Sequence, residues 1–327
     1  MRNQPRLLAS LLFVSLLWSF DTNAAEKLRV AFPSLGIALS PSWVTLEQGF
    51  WKKYGLDVEL ILLSGGARTV PALVSGSVQI LLASDPTVTQ AIAQGTDLMK
   101  LGVTTNTFGA ALLTQPDIQS VKDLKGKVLG VARGRDASYA RLIKLLRDNG
   151  INPNDDVKLL SIGEGPGARL NALKAKVIQG TILSPPLDLI GSREGLRVLE
   201  KLDVPTPAGG ISTTGNFLRQ NRSVLVNFLK GYIEGIHYLL TRKDESIKIL
   251  SRYLRNSDMT VVGYFYDEIA HRAEKDLRPA PESVRFLNEL VALDEPKAKQ
   301  LTETDHWDLS LIEQIRKSGF VDQLYRN

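Results

Sequence analysis

The chain has 327 residues, a formal net charge of +5 and no cysteine. Because its charges are interspersed rather than gathered into a basic block, the composition argues against a nucleic-acid-binding protein. The lack of cysteine excludes disulfides and a lipid-modified cysteine, and a chain of this length buries a large core without cross-links. The length is typical of two domains.

Residues 1–24 are typical of a secretory signal peptide. Arg2 and Arg6 precede an apolar run over residues 7–20, and small residues follow up to Ala24. This run is too short to cross a hydrocarbon core of ~30 Å as a helix. We therefore predict cleavage after Ala24 and a periplasmic mature protein that is not a lipoprotein.

The next part of the chain alternates apolar strands with helices. We predict strands over residues 28–32, 58–62, 80–83 and 99–103, and helices over residues 41–54, 68–74 and 87–94. A second, similar unit has predicted strands over residues 110–114, 128–131, 157–161, 180–183 and 197–199, and helices over residues 137–148 and 168–176. No repeat of fixed period is evident. Such alternation predicts a mainly parallel α/β sheet.

Beyond residue 217 the pattern changes to helices alone. Apolar residues recur at helical spacing, and the predicted helices cover residues 221–240, 245–253, 261–273, 282–293 and 309–317. The sequence therefore predicts two α/β units followed by a helical tail.

Six segments occur in the order typical of one group of binding proteins. They are W-V-T-L-E-Q-G-F-W-K-K-Y-G-L-D-V-E-L (43–60), A-L-V-S-G-S-V-Q-I (72–80), V-K-D-L-K-G-K-V-L-G-V (121–131), N-P-N-D-D-V (152–157), A-L-K-A-K-V-I-Q-G (172–180) and S-G-F-V-D-Q-L-Y (318–325). In these segments the chain resembles the periplasmic substrate-binding proteins of ABC importers that bind alkanesulfonates, taurine, nitrate or thiamine precursors.

The resemblance implies a type II periplasmic binding protein fold with two α/β lobes. Lobe 1 would comprise residues 25–108 and 210–327, lobe 2 would comprise residues 109–209, and crossings near residues 105–108 and 207–212 would form the hinge. It also implies a monomer that binds a small-molecule ligand between the lobes and an inner-membrane ABC permease as its partner.

In open α/β sheets, ligands bind where the strands end and helices begin. Helix starts there favour anionic ligands, because free N–H groups and the helix dipole point at the site. The candidate ligand-binding residues at these junctions and at the crossings are Ser34, Leu35, Gly36, Ser40, Trp43, Ser64, Gly65, Gly66, Arg68, Ser84, Asp85, Thr105, Asn106, Arg133, Gly134, Ser138, Tyr139, Glu164, Ser184 and Pro185.

Several of these residues have a structural alternative. Arg133 either grips a carboxylate or sulfonate or pairs with Asp136, and Asp85 is most simply a helix N-cap. Trp43 lies either in the core or at the cleft, and Ser184 with Pro185 either touches ligand or only ends a strand. The turn at residues 133–138 lacks both the G-x-G-x-x-G and the G-x-x-x-x-G-K-[ST] pattern, so neither nucleotide fingerprint is present.

The residues do not predict catalysis. All three histidines fall in the helical tail, and no thiol, G-x-S-x-G motif or metal-ligand spacing occurs. We expect no cofactor, no metal and a small organic anion, such as a sulfonate or an aromatic or aliphatic carboxylate, as ligand. The alternatives are a thiamine-pyrimidine-precursor binder, in which Trp43 and Tyr139 would form an aromatic slot, and a periplasmic sensor that presents its ligand-bound shape to a membrane receptor.

Overall fold

Two five-stranded sheets organise the computed structural model, which describes residues 25–63, 68–83, 85–132, 137–163 and 165–326. The proposed signal peptide lies outside the described residues. The first sheet contains β1 (Glu26–Phe32), β2 (Leu56–Leu62), β3 (Ile80–Ala83), β4 (Leu98–Gly102) and β10 (Gly210–Thr214), in the order β2-β1-β3-β10-β4. Strand β1 is parallel to β2 and β3, whereas β10 is antiparallel to β3 and β4.

The second sheet has the same arrangement. It contains β5 (Phe108–Thr114), β6 (Val128–Ala132), β7 (Lys158–Ile162), β8 (Gly180–Leu183) and β9 (Arg197–Val204), in the order β7-β6-β8-β5-β9. Strand β6 is parallel to β7 and β8, and β5 is antiparallel to β8 and β9. In each sheet the antiparallel strand is the first one after a crossing from the other sheet. The predicted α/β architecture is confirmed, but both sheets are mixed, and β10 was not predicted.

Helices cover both sheets. The helices before β10 are α1 (Ser40–Glu47), α2 (Phe50–Lys53), α3 (Thr69–Val74), α4 (Asp85–Ala93), α5 (Ala137–Asp148), α6 (Pro166–Lys174) and α7 (Leu187–Arg193). The tail contains α8 (Gly215–Gln220), α9 (Arg222–Thr241), α10 (Lys243–Leu254), α11 (Met259–Arg272), α12 (Pro281–Ala292), α13 (Glu303–His306), α14 (Ser310–Lys317) and α15 (Phe320–Tyr325). Among the described residues, no helix combines the length and the apolarity needed to span a membrane.

The single helix predicted over residues 41–54 is wrong. The structure has two helices, α1 and α2, because Gly49 between them adopts a left-handed conformation with φ of 70°. Glycine adopts this conformation without the steric cost that a side chain brings, so the chain turns there instead of continuing the helix.

One turn occurs at equivalent places in both lobes. Gln79 donates its side-chain amide to the carbonyl of Gly76, and Gln179 donates in the same way to the carbonyl of Lys176. Each glutamine side chain also accepts a hydrogen bond from the backbone of the neighbouring parallel strand, which is β1 in the first sheet and β6 in the second. Gly76 and Lys176 both have positive φ, of 73° and 58°. The two lobes therefore share a local structure that the sequence alone did not reveal as a repeat.

The tail packs mainly against the first sheet. Helix α9 buries one face against that sheet, and its Phe228 and Tyr232 stack on Trp51 of α2. The indole N–H of Trp51 donates to the carbonyl of Phe228 at 3.1 Å, which satisfies a buried donor. These contacts attach the tail to the lobe that contains β1 and β2.

The crossings between the sheets lie at residues 103–107 and 205–209, in or next to the predicted positions. Ala208 donates its N–H to the carbonyl of Thr105 at 2.9 Å, so the crossings are paired with each other. A third segment lies beside them, because Thr105 also bridges to Ala273 and Glu274 donates to the carbonyl of Thr104. Sheet membership supports the predicted lobe boundaries, which stay a proposal.

Candidate functional site

The candidate site is the cleft between the lobes, at the carboxyl ends of the parallel strands. Helices α4, α5, α6 and α7 begin after β3, β6, β7 and β8, so their first turns lie at this edge. The lobes touch in two regions. In one, α5 contacts α4 and α12, with Lys144 5.7 Å from the ring centre of Phe286, and in the other Tyr264 of α11 contacts Asp188 of α7.

The lobe 1 side is formed in part by the segment that follows β1. Ser34, Leu35 and Gly36 are each at least partly accessible to solvent. Arg68 is exposed at the start of α3, next to the predicted Ser64-Gly65-Gly66 turn. The structure therefore leaves these residues able to meet a ligand.

Two other candidates of lobe 1 are inside the protein. Trp43 is 0% exposed and stacks on Tyr253, with ring centres 5.2 Å apart, and on Phe265. Ser40 is fully buried, and its hydroxyl donates to the carbonyl of Ile37 at 2.7 Å. The tail helices α10 and α11 cover α1, so both side chains are inaccessible to solvent in this structure. Trp43 occupies the core position that the sequence left as its alternative, and ligand contacts by Trp43 and Ser40 stay predictions.

The two candidates at the first crossing serve the hinge. Thr105 is buried and donates its hydroxyl to the carbonyl of Thr107 at 2.8 Å. The side-chain oxygen of Asn106 accepts from Ala280 N–H at 2.7 Å and from the Ser283 hydroxyl at 2.9 Å, and its amide donates to a nearby carbonyl. These hydrogen bonds give both side chains a structural role, and Asn106 ties the crossing to the start of α12. Ligand contacts by Thr105 and Asn106 stay predictions.

In lobe 2, two buried arginines that were not predicted lie near the starts of α5 and α6. Arg141 and Arg169 are each only 4% exposed, and Arg169 donates to the hydroxyl of Ser138 at 3.2 Å. Ser138 and Tyr139, both predicted, are partly exposed beside them. Their spacing could have indicated these two arginines, because Arg141 lies one helical turn after the predicted Ser138 and Arg169 lies three residues after the start of α6.

The start of α7 adds a buried acid. Ser184 is partly exposed, whereas Pro185 is buried, so only the serine of this pair is accessible. Asp188 is 7% exposed and accepts a hydrogen bond at 2.7 Å from the hydroxyl of Tyr264, a residue of α11 in lobe 1. Burial raises the pKa of the Asp188 carboxyl, and burial together with the neighbouring carboxylate raises the pKa of Tyr264. The contact between Asp188 and Tyr264 was not predicted from the sequence.

Seven predicted residues lie outside the described residues. They are Ser64, Gly65, Gly66, Ser84, Arg133, Gly134 and Glu164. The same holds for the side chain of Asp85. Their roles stay predictions.

The described residues contain no group of three or more metal-ligating side chains. His306 is fully buried in α13, and burial together with Lys100 lowers its pKa to about 3. An imidazole with this pKa is neutral at physiological pH and has no access to solvent. It therefore offers no acid or base to a ligand in the cleft.

The chain is similar to proteins of known family. The family described as "NMT1/THI5 like" matches residues 38–246. The chain is 22% identical over 228 residues to the riboflavin-binding protein RibY of Chloroflexus aurantiacus, across 68% of this chain and 65% of that protein. It is 21% identical over 225 residues to the formylaminopyrimidine-binding protein of Halalkalibacterium halodurans, across 66% of each. Both matches span just under two thirds of the relative's own length.

Among solved structures, the alkanesulfonate-binding protein SsuA from Xanthomonas axonopodis pv. citri, bound to MOPS, is similar with a TM-score of 0.71. The identity is 18%, and the match covers 85% of this chain and 96% of SsuA. Similarity at this identity shows the fold and not the ligand. The predicted two-lobed periplasmic binding protein fold is confirmed.

Proposed function

Because the chain belongs to the NMT1/THI5 like family, we propose that it is an extracytoplasmic solute-binding protein of an ABC importer. It captures a small organic anion, a sulfonate or a carboxylate, between its lobes and delivers it to an inner-membrane permease. The reaction is binding and release, without chemical change of the ligand. A signal peptide over residues 1–24 would direct the chain to the periplasm.

The buried positive charge in lobe 2 carries this proposal. Arg141 and Arg169 are both buried near the helix starts at this edge, where shielding from water strengthens the attraction between a guanidinium and an anion. The starts of α5 and α6 add free N–H groups and the positive end of the helix dipole. A guanidinium fork matches the two oxygens of a carboxylate or sulfonate. An anion at this edge of the second sheet would therefore meet positive potential from four sources.

Thermal unfolding with a ligand panel tests the proposal. Sulfonates, aromatic and aliphatic carboxylates, nitrate, pyrimidines and riboflavin are each added to purified protein. A ligand at 100 times its dissociation constant stabilises the folded state by about 2.7 kcal/mol, which raises the unfolding midpoint. We expect a rise with one class of acid, and no rise with the uncharged analogue of that acid. Equal binding of the uncharged analogue would refute the anion proposal.

Substitutions in two helices locate the site. Arg169→Gln and Arg141→Gln should abolish the ligand-induced rise, each measured against its own ligand-free midpoint. Arg147→Gln is the matched control, because Arg147 is exposed on the same helix as Arg141. A ligand-induced rise that survives in both buried variants would place the anion elsewhere.

A pyrimidine ligand is the second candidate. The names of the two relatives support it, and Tyr139 is a partly exposed aromatic residue at the start of α5. Burial of Trp43, however, removes one of the two rings that the sequence offered for stacking. A midpoint rise with pyrimidines or riboflavin, and with no acid, would favour this candidate over the anion.

A further inference from the structure

Helix α11 packs in lobe 1 but contacts lobe 2 along its length. Val262, Phe265 and Ile269 are buried in a core cluster of lobe 1. Tyr264 and Arg272 of the same helix contact α7 and β9 of lobe 2. The carboxyl end of this helix adjoins the hinge, because the next residue bridges to Thr105. Any rotation of the lobes about the crossings therefore changes these contacts.

The contact between Tyr264 and Asp188 is buried. The tyrosine hydroxyl donates to Oδ2 of Asp188 at 2.7 Å, and the side chain of Asp188 is almost inaccessible to solvent. Oδ1 of the same carboxylate makes no hydrogen bond within the described part of the chain. Tyr264 therefore supplies the one side-chain hydrogen bond found for a carboxylate that burial has removed from water.

The other polar contacts of α11 with lobe 2 are more exposed. Arg193 and Asp258 are 2.8 Å apart, but their side chains are 43% and 48% exposed. Arg272 lies 3.6 Å from Asp203, whose side chain is 58% exposed. Solvent screens such pairs, which usually contribute little. A buried, charge-assisted hydrogen bond contributes more, and losing its donor costs more still because the acceptor stays desolvated.

Distance from the hinge makes this contact sensitive to lobe position. Tyr264 lies eight residues before Arg272, which is about 12 Å along a helix that rises 1.5 Å per residue. Opening of the cleft would move α7 away from α11 at this distance and return Asp188 to water. The hydroxyl of Tyr264 would then stabilise the closed arrangement and leave the open one unaffected.

We propose that Tyr264 and Asp188 are positioning residues that set the balance between closed and open lobes, and through it the affinity for ligand. The effect on the ratio of closed to open protein is inferred from the contacts of α11 alone. The effect on ligand affinity rests on the proposed function. Removing the hydroxyl should lower the ratio of closed to open protein about tenfold, equivalent to about 1.4 kcal/mol. A ligand that binds only the closed arrangement would lose apparent affinity by up to the same factor.

The absence of cysteine makes this balance measurable. Nitroxide labels on cysteines introduced at Val74 in lobe 1 and Val177 in lobe 2, both exposed, report the distance between lobes in the otherwise cysteine-free chain. Pulsed electron spin resonance on ligand-free protein then compares Tyr264→Phe with the parent. We expect a population at the distance of this structure in the parent and about a tenfold lower closed-to-open ratio in the variant.

Two further variants make the test specific. Arg193→Gln removes an exposed contact of the same helix pair and should change the ratio less than twofold. Asp188→Asn removes the buried charge, so Tyr264→Phe should have a much smaller effect in that background. Equal ratios in the parent and Tyr264→Phe, an equal effect of Arg193→Gln, or a parent without the closed population would each overturn the proposal. Because no ligand is present, failure of the anion panel leaves this result intact, and the reverse also holds.

Discussion

Acid should destabilise this protein through His306. The imidazole is fully buried, and neither of its nitrogens makes a hydrogen bond within the described residues. The ammonium of Lys100 lies 4.8 Å from the ring centre of Trp307, the next residue along the chain. Burial first, and then the charge of Lys100, lowers the pKa of His306 to about 3. In the unfolded chain the same imidazole has a pKa of about 6.5.

The sign follows from proton binding. Between pH 6.5 and pH 3 the unfolded chain binds a proton on this residue and the folded chain does not, so the free energy of unfolding falls as the pH falls. Integrating the two titrations from pH 7.5 to pH 4.5 gives a loss of about 2.5 kcal/mol from this one group. His237, whose pKa burial also lowers, and the carboxyl groups contribute to the pH dependence as well, so the contribution of His306 is read from the difference between the parent and a His306 variant.

Urea unfolding at a series of pH values measures this loss. His306→Gln should be nearly free of the His306 contribution, so its free energy of unfolding should fall by about 2.5 kcal/mol less than that of the parent over the same range. His271→Gln is the matched control, because His271 is an exposed histidine of the same tail and its loss should leave the parent's pH dependence in place. Identical pH dependence of the parent and His306→Gln would refute the reasoning.

Three more outcomes are expected. Lys176→Gly should raise the free energy of unfolding by about 0.5–1 kcal/mol, because φ at this position is positive and glycine adopts such a conformation without steric cost. Lys174→Gly is the control and should lower the free energy of unfolding, because Lys174 is helical and glycine is a poor helix former. Gly209→Ala should lower the free energy of unfolding by about 2 kcal/mol in urea titrations, because the added methyl would collide with the carbonyl oxygen of Ala38. Gly195→Ala, which also has positive φ but open space around it, should lower it less. Mass spectrometry of exported protein should give a first residue of Ala25, and a mass that includes residues 1–24 would contradict the predicted cleavage.

Hydrophobic periodicity predicted most strands and helices, because these elements depend on residues that are close together in the chain. Strand β3 lies at the predicted residues, and α5 begins and ends where its pattern does. Strand β10 was missed, since Gly210–Thr214 is short and gains its strand character from pairing with β3 and β4. Such pairing depends on tertiary neighbours more than on the residues themselves.

The candidate site also has features that the sequence predicted and features that it did not. The sequence predicted accessible residues at the strand ends, such as Ser34 and Ser138, because parallel strands bring those ends to one edge. It did not reveal that the tail buries Trp43, or that Asn106 serves the start of α12.

The sequence by itself determined the two α/β units, the helical tail and the edge at which a ligand would bind. These features depend on hydrophobic period and on glycine and proline, which act over a few residues. Only the tertiary structure decided which side chains face that edge. Tyr264 and Asp188 are 76 residues apart in the chain and meet because two lobes come together. No local pattern encodes such a contact, since its energy arises from burial that the folded arrangement of both lobes creates.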